Sequence, residues 1–199
     1  MAKRLDALNT VAAIELNISC PNVRSSMEKS RFRKLISQDP QATYEAVKMA
    51  RKATKKTIIT KLSPNVTDIV EIALAAEEAG SDALALVNTV LGMSIDIDKR
   101  RPKVAAVTAG LSGPAIRPIA VRMVWEVSQK IKIPIIGMGG IMDASGAIEF
   151  LLAGASVISV GTANFINPRA AVQISEGISK YLVRNGLKDV RQLTGSISI

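Results

Sequence analysis

Short runs of β-branched and aliphatic residues alternate along the chain with longer stretches in which apolar positions recur every three or four residues. The short runs cover residues 13–19, 57–62, 83–88, 133–138 and 157–161, and each closes on polar or glycine residues. Such runs fit strands buried on both faces by helices. The periodic stretches predict helices over 40–54, 66–79, 114–131, 144–153 and 168–184. Asn65, Asp143 and Asn167 stand where amino-terminal caps are expected, Pro168 suits a first helical position, and Gly80 and Gly154 can close carboxy ends. This βαβα order specifies an α/β fold with a parallel sheet and helical crossovers. Two segments break the pattern: a basic polar stretch over 24–37, and a long connection over 90–111 that holds Asp96, Asp98, Lys99, Arg100 and Arg101. No linker or low-complexity tract divides the chain, so a single domain over 1–199 is expected.

Composition narrows the chemistry. With 48% apolar and 22% charged residues the chain reads as globular and not disordered. No apolar run reaches the roughly eighteen residues that cross a bilayer, and no signal-peptide core is recognisable, so a cytoplasmic protein without membrane contact is expected. The one cysteine, Cys20, leaves no disulfide framework and no thiolate cluster for iron, sulfur or zinc within the chain. Histidine is absent, which removes imidazole as base or metal ligand; no metal site is expected. The net charge of +9 is spread over the chain without interleaved aromatics, so small anions or an acidic protein are expected as partners and nucleic acid is not.

In parallel α/β folds ligands gather at the carboxyl ends of the strands, and here those ends are polar. The first delivers Asn17, Ser19, Cys20 and Asn22, the second Lys61 and Ser63, the third Asn88 and Thr89. The last two deliver Gly137, Gly139 and Gly140, then Gly161 with Thr162, each shortly before a helix. Glycine lets backbone N–H groups approach an anion, and two successive glycine-ended βα units suit a phosphate, although Gly-Met-Gly-Gly-Ile could equally serve only a tight turn. A lysine closing an apolar strand is costly unless it meets an anion or a polarised carbonyl, or reaches solvent at the rim.

Residues 14–23 (Ile-Glu-Leu-Asn-Ile-Ser-Cys-Pro-Asn-Val), Lys61-Leu62-Ser63-Pro64-Asn65-Val66, Val87-Asn88-Thr89, Leu111-Ser112-Gly113-Pro114, Gly137-Met138-Gly139-Gly140-Ile141 and Val160-Gly161-Thr162-Ala163 follow one another in the order found in dihydroorotate dehydrogenases. The chain resembles the B type, the NAD-linked catalytic subunit, over nearly its whole length. This resemblance implies a (β/α)8 TIM-type barrel, of which the chain supplies about five βα units beginning at or just before the fourth strand. It implies FMN-dependent oxidation of dihydroorotate to orotate in pyrimidine synthesis. Cys20 would be the base that takes the C5 proton while C6 passes hydride to the flavin. Asn17, Asn22, Asn88 and Thr89 would bind the substrate's carboxylate and ring amides. Lys61 would stabilise reduced FMN, with Gly113, Gly139, Gly140, Gly161 and Thr162 holding the ring and phosphate. It also implies a partner subunit carrying FAD and a 2Fe–2S cluster, and a homo-oligomer.

The basic stretch after Val23 has no glycine where the family has one, so the loop beside the base is expected to be remodelled. Five strands leave two open sheet edges, which predicts association or modest stability for the chain alone. Two alternatives stay open. One is another FMN-dependent pyrimidine oxidoreductase, similar to the related domain of dihydropyrimidine dehydrogenase; the other is a non-catalytic oligomerising module.

Overall fold

The structure, a computed structural model, describes residues 1–19 and 35–198. α1 (Ala2–Asp6) leads into β1 (Ala13–Asn17), and α2 (Pro40–Ala53), β2 (Thr57–Lys61), α3 (Ile69–Glu78) and β3 (Ala83–Leu86) follow. An excursion of four short strands comes next: β4 (Val90–Gly92), β5 (Ile95–Asp96), β6 (Arg101–Pro102) and β7 (Ala109–Leu111). The chain then resumes its alternation with α4 (Arg117–Ser128), β8 (Ile135–Met138), α5 (Ala144–Leu152), β9 (Val157–Ser159), α6 (Ala163–Ile166) and α7 (Ala170–Arg184).

The main sheet runs β1-β2-β3-β8-β9 with every neighbour parallel. One register row crosses it through Asn17, Lys61, Ala85, Ile136 and Val157, so all five strands finish at the same edge of the sheet. The two faces differ. Leu84 and Ile135 are buried with Ile69, Ile72, Val124, Val127 and Phe150 from the helices, forming one core, and Ile58 on β2 is fully buried as well. The opposite face, with Thr57, Ile59 and Lys61 on β2 and Ile136 and Met138 on β8, is only partly buried. The expectation of strands covered by helices on both faces is thereby corrected. A barrel wall has helices outside and side chains inside, and its runs look equally apolar in sequence.

Most predicted helices form where expected, with three changes at their starts, the first being that Pro114–Ile116 forms a 3-10 turn and α4 begins only at Arg117. Asp143 caps α5 by accepting from Gly146 N at 2.8 Å, and Gly80 and Gly154 close α3 and α5 with φ of 102° and 117°. Asn65 does not cap α3. That helix begins at Ile69, capped by Asp68, whose carboxylate accepts from Val70 N at 2.7 Å and Glu71 N at 3.4 Å. Likewise α7 begins at Ala170 and not at Pro168; Asn167 makes a local turn, its Oδ1 accepting from Arg169 N at 3.0 Å. The connection over 90–111 is not irregular throughout, since β4 pairs with β7 and β5 with β6, both antiparallel. Among the described residues no helix is long and apolar enough to cross a membrane.

Candidate active site

Lys61 is the last residue of β2, flanked in register by Asn17 on β1 and Ala85 on β3. Strand alternation sends Ile58 and Thr60 to the helices and leaves Lys61 on the inner face, its side chain 22% exposed. Its ammonium lies 3.9 Å from Glu15 Oε1, at the outer limit of an ion pair. A cation held this way in a cleft is free to meet an anionic or polarised group.

Beside it the ends of β1 and β3 are joined by side chains. Asn88 Nδ2 donates to Ser19 Oγ at 2.8 Å, and Ser19 Oγ donates to Asn17 Oδ1, also at 2.8 Å. Thr89 N donates to Asn88 Oδ1 at 2.8 Å. Asn65, freed from the helix, fixes the far side of this loop: its Nδ2 donates to Thr89 O at 3.0 Å and its Oδ1 accepts from Leu91 N at 2.7 Å. The partners of Asn65 lie 24 and 26 residues away, which is why local sequence suggests a cap instead.

The glycines fall into two classes. At Gly140, φ is 75° and a Cβ would come within 2.7 Å of Gly113 O and 2.9 Å of Arg117 Cβ; at Gly139, φ is 126° and a Cβ would meet Ala120 Cβ at 3.0 Å. Both are required by the turn and its packing, whatever binds there. Gly161 is different. Its backbone is not left-handed, and a Cβ built there meets nothing within 4 Å. Gly113 combines both features: its φ of 86° calls for glycine, yet a Cβ there would meet only Thr162 Cγ2, at 3.8 Å. Nothing in the described protein packs against the position of a Cβ at 161, and Gly161 lines the same cleft as Lys61. Thr162 Oγ1 donates to Ser112 Oγ at 3.0 Å and ties these two loops together. Behind them Arg117 Nε sits 3.4 Å from Glu149 Oε2, joining the first turn of α4 to α5.

Lys61, Asn88, Thr89, Gly113, Gly139, Gly140, Gly161 and Thr162 line one cleft of about 210 Å³. Asn17 is not in its wall but is coupled to Asn88 through Ser19. Cys20 and Asn22 lie outside the described residues. Ser112, Met138 and Ser159 also line the cleft and were not singled out in the sequence, Ser112 despite standing next to Gly113. A flavin phosphate fits the open backbone at Gly113 and Gly161, beside the paired hydroxyls of Thr162 and Ser112.

The family model for dihydroorotate dehydrogenase matches residues 1–182. The chain is 53% identical over 197 residues to the dihydroorotate dehydrogenase B (NAD(+)), catalytic subunit, of Geotalea uraniireducens, covering 99% of this chain and 63% of the relative. It is 49% identical over 198 residues to the protein of the same name from Bacteroides thetaiotaomicron, covering 100% and 63%. The chain thus spans about 63% of the length of these curated relatives. Among solved structures it resembles DHODH of Eimeria tenella, crystallised with ferulenol, with a TM-score of 0.76 at 21% identity over 94% of this chain and 54% of that one. That likeness makes the five-stranded arc part of a TIM-type barrel.

Proposed function

Because the chain belongs to the dihydroorotate dehydrogenase family, we propose that its cleft serves the oxidation of dihydroorotate to orotate in de novo pyrimidine synthesis, with FMN as its cofactor. The observation that carries this reading is the meeting, in one cleft, of the strand-end cation Lys61, the amide of Asn88 with Asn17 coupled to it through Ser19, and a glycine whose Cβ volume no described protein atom fills. FMN, when bound, supplies a two-electron acceptor for the hydride that leaves C6 of dihydroorotate. The backbone N–H groups of Gly113, Gly139, Gly140, Gly161 and Thr162 would hold its ring and phosphate. Lys61 places positive charge where negative charge accumulates on reduction. Asn17, Asn22, Asn88 and Thr89 orient the substrate, and Cys20 Sγ takes the C5 proton.

The proposal extends to the assembly. The relatives' name, a catalytic subunit linked to NAD(+), supports a separate electron-transfer subunit, and we assign FAD and the 2Fe–2S cluster to that partner because this chain has a single cysteine. A cytoplasmic homo-oligomer, each chain a single domain, completes the reading. Anaerobic addition of dihydroorotate to the purified protein loaded with FMN tests it directly. The flavin absorbance should bleach, and flavin that stays oxidised under saturating dihydroorotate would refute the assignment.

A further inference from the structure

Ser19 has no role in the reading above, yet it is fully buried and sits between two asparagines assigned to the substrate. Its hydroxyl has one proton to give. The geometry spends it on Asn17 Oδ1, at 2.8 Å, while the hydroxyl oxygen accepts from Asn88 Nδ2 at 2.8 Å; Ser19 N also donates to Asn17 Oδ1, at 3.3 Å. An amide can normally turn end for end, presenting either oxygen or N–H to a ligand. Here neither can. Asn17 has its oxygen held by two donors of Ser19, and Asn88 has its oxygen held by Thr89 N. Among the described residues both Nδ2 hydrogens of Asn17, and one of Asn88, are left without a partner.

We propose that Ser19 is a positioning and specificity-determining residue: it helps hold both amides so that Asn17 and Asn88 present N–H donors and not oxygens, favouring ligands that bring carboxylate or ring-carbonyl oxygens to these two side chains and disfavouring those that bring N–H to them. The inference rests on the functional reading above, and it adds a residue that touches no ligand itself. Rejection is the sharper half. A ligand donor facing a locked N–H would leave both groups unpaired, the situation in which polar sites discriminate best.

Isothermal titration of orotate into the FMN-loaded protein tests this, with FMN content and melting midpoint measured alongside. Ser19→Ala should weaken orotate binding about tenfold or more, since Asn17 regains freedom to misorient and Asn88 loses one of its two anchors, with FMN content unchanged. The same substitution added to Asn17→Ala should cost less than in the parent, because the two act as one unit. Asn17→Asp should bind orotate more weakly than Asn17→Ala, because a carboxylate held by Ser19 turns an oxygen toward an oxygen. That comparison also decides the matter should Ser19→Ala fail to fold. Orotate affinity in Ser19→Ala within about twofold of the parent, or equal affinities for Asn17→Asp and Asn17→Ala, would overturn the proposal. A parent that holds FMN but binds no orotate would instead sink the functional reading, so the two failures are distinguishable.

Discussion

Gly161→Ala separates ligand space from protein space. An added Cβ at 161 meets no atom within 4 Å, and the backbone there is not left-handed, so the folded protein accommodates the methyl without strain. Folding stability should rise slightly, by about 0.4–1 kcal/mol, because alanine has fewer unfolded conformations than glycine. The methyl projects into volume that the reading reserves for FMN, and filling an occupied space typically costs about 1–3 kcal/mol. FMN affinity should therefore fall roughly 5- to 150-fold while the apoprotein melts at or above the parent's midpoint. Gly140→Ala is the control with the opposite outcome. With φ of 75° and a Cβ 2.7 Å from Gly113 O, it strains the turn itself and should lower the melting midpoint with or without flavin. Flavin fluorescence titration and thermal melts of the two variants are enough. An FMN affinity for Gly161→Ala within about twofold of the parent would refute the argument that this glycine marks the cofactor's path.

The other expectations follow from single groups. Lys61→Ala should weaken FMN binding and lower the reduction potential of the flavin that remains, because the lost cation favours the reduced, anionic form; redox titration against a reference dye reads this, and an unchanged potential rules the role out. Cys20→Ala should slow dihydroorotate-dependent flavin reduction by about a hundred- to ten-thousand-fold in stopped flow, with parent-like rates returning the base to another residue. Asp6, at the end of α1, is held below its ordinary pKa by the Thr54 hydroxyl at 2.6 Å and then by Lys55 N–H at 3.0 Å. Its ionised form is the bonded one, so its stabilisation is complete above the ordinary value of 3.8 and is lost as pH falls through the lowered one. Amide exchange in α1 should accelerate in Asp6→Ala near neutral pH, and the difference from the parent should vanish in acid.

How much of this was legible in the sequence depended on whether the deciding partner was near. Strands β2, β3 and β8 declared themselves by runs of Ile, Leu and Ala between polar ends, and Asp143 caps the helix that follows it three residues before Gly146. Asn65 did not, because a loop asparagine can cap or bridge, and its bridge to Thr89 and Leu91 exists only after β2 and β3 pair. The small hairpins of the excursion were hidden because strands of two or three residues, one of them Arg101–Pro102, show no alternation. The glycine motifs were readable as a cradle, but not which glycines serve the turn and which the ligand. That difference lies in the atoms opposite each absent Cβ, contributed by Arg117 and Ala120 for one class and by nothing for the other.

The two ends of the cleft are consequently built by different means. Around Gly139 and Gly140 the floor is packed protein, with Ala120, Ile116 and Val87 against Gly139, and Gly113 O and Arg117 against Gly140. At the other end the sheet's backbone pairing has stopped, since the last register pair between β1 and β2 is Asn17 with Lys61. Beyond it, Ser19 and Asn88 reach over the top of β2 and join the strand at one edge of the sheet to its centre. This stitch is made of side chains whose spare N–H groups are the ones proposed to meet substrate. A ligand that accepts from them strengthens the tie, so substrate affinity and the order of β1's end are thermodynamically linked, each raising the other. The end proposed for phosphate has no such linkage, because the Gly139–Gly140 turn is already fixed by contacts within the protein. Cofactor is therefore expected to bind a preformed surface, whereas substrate binding completes part of the wall it binds.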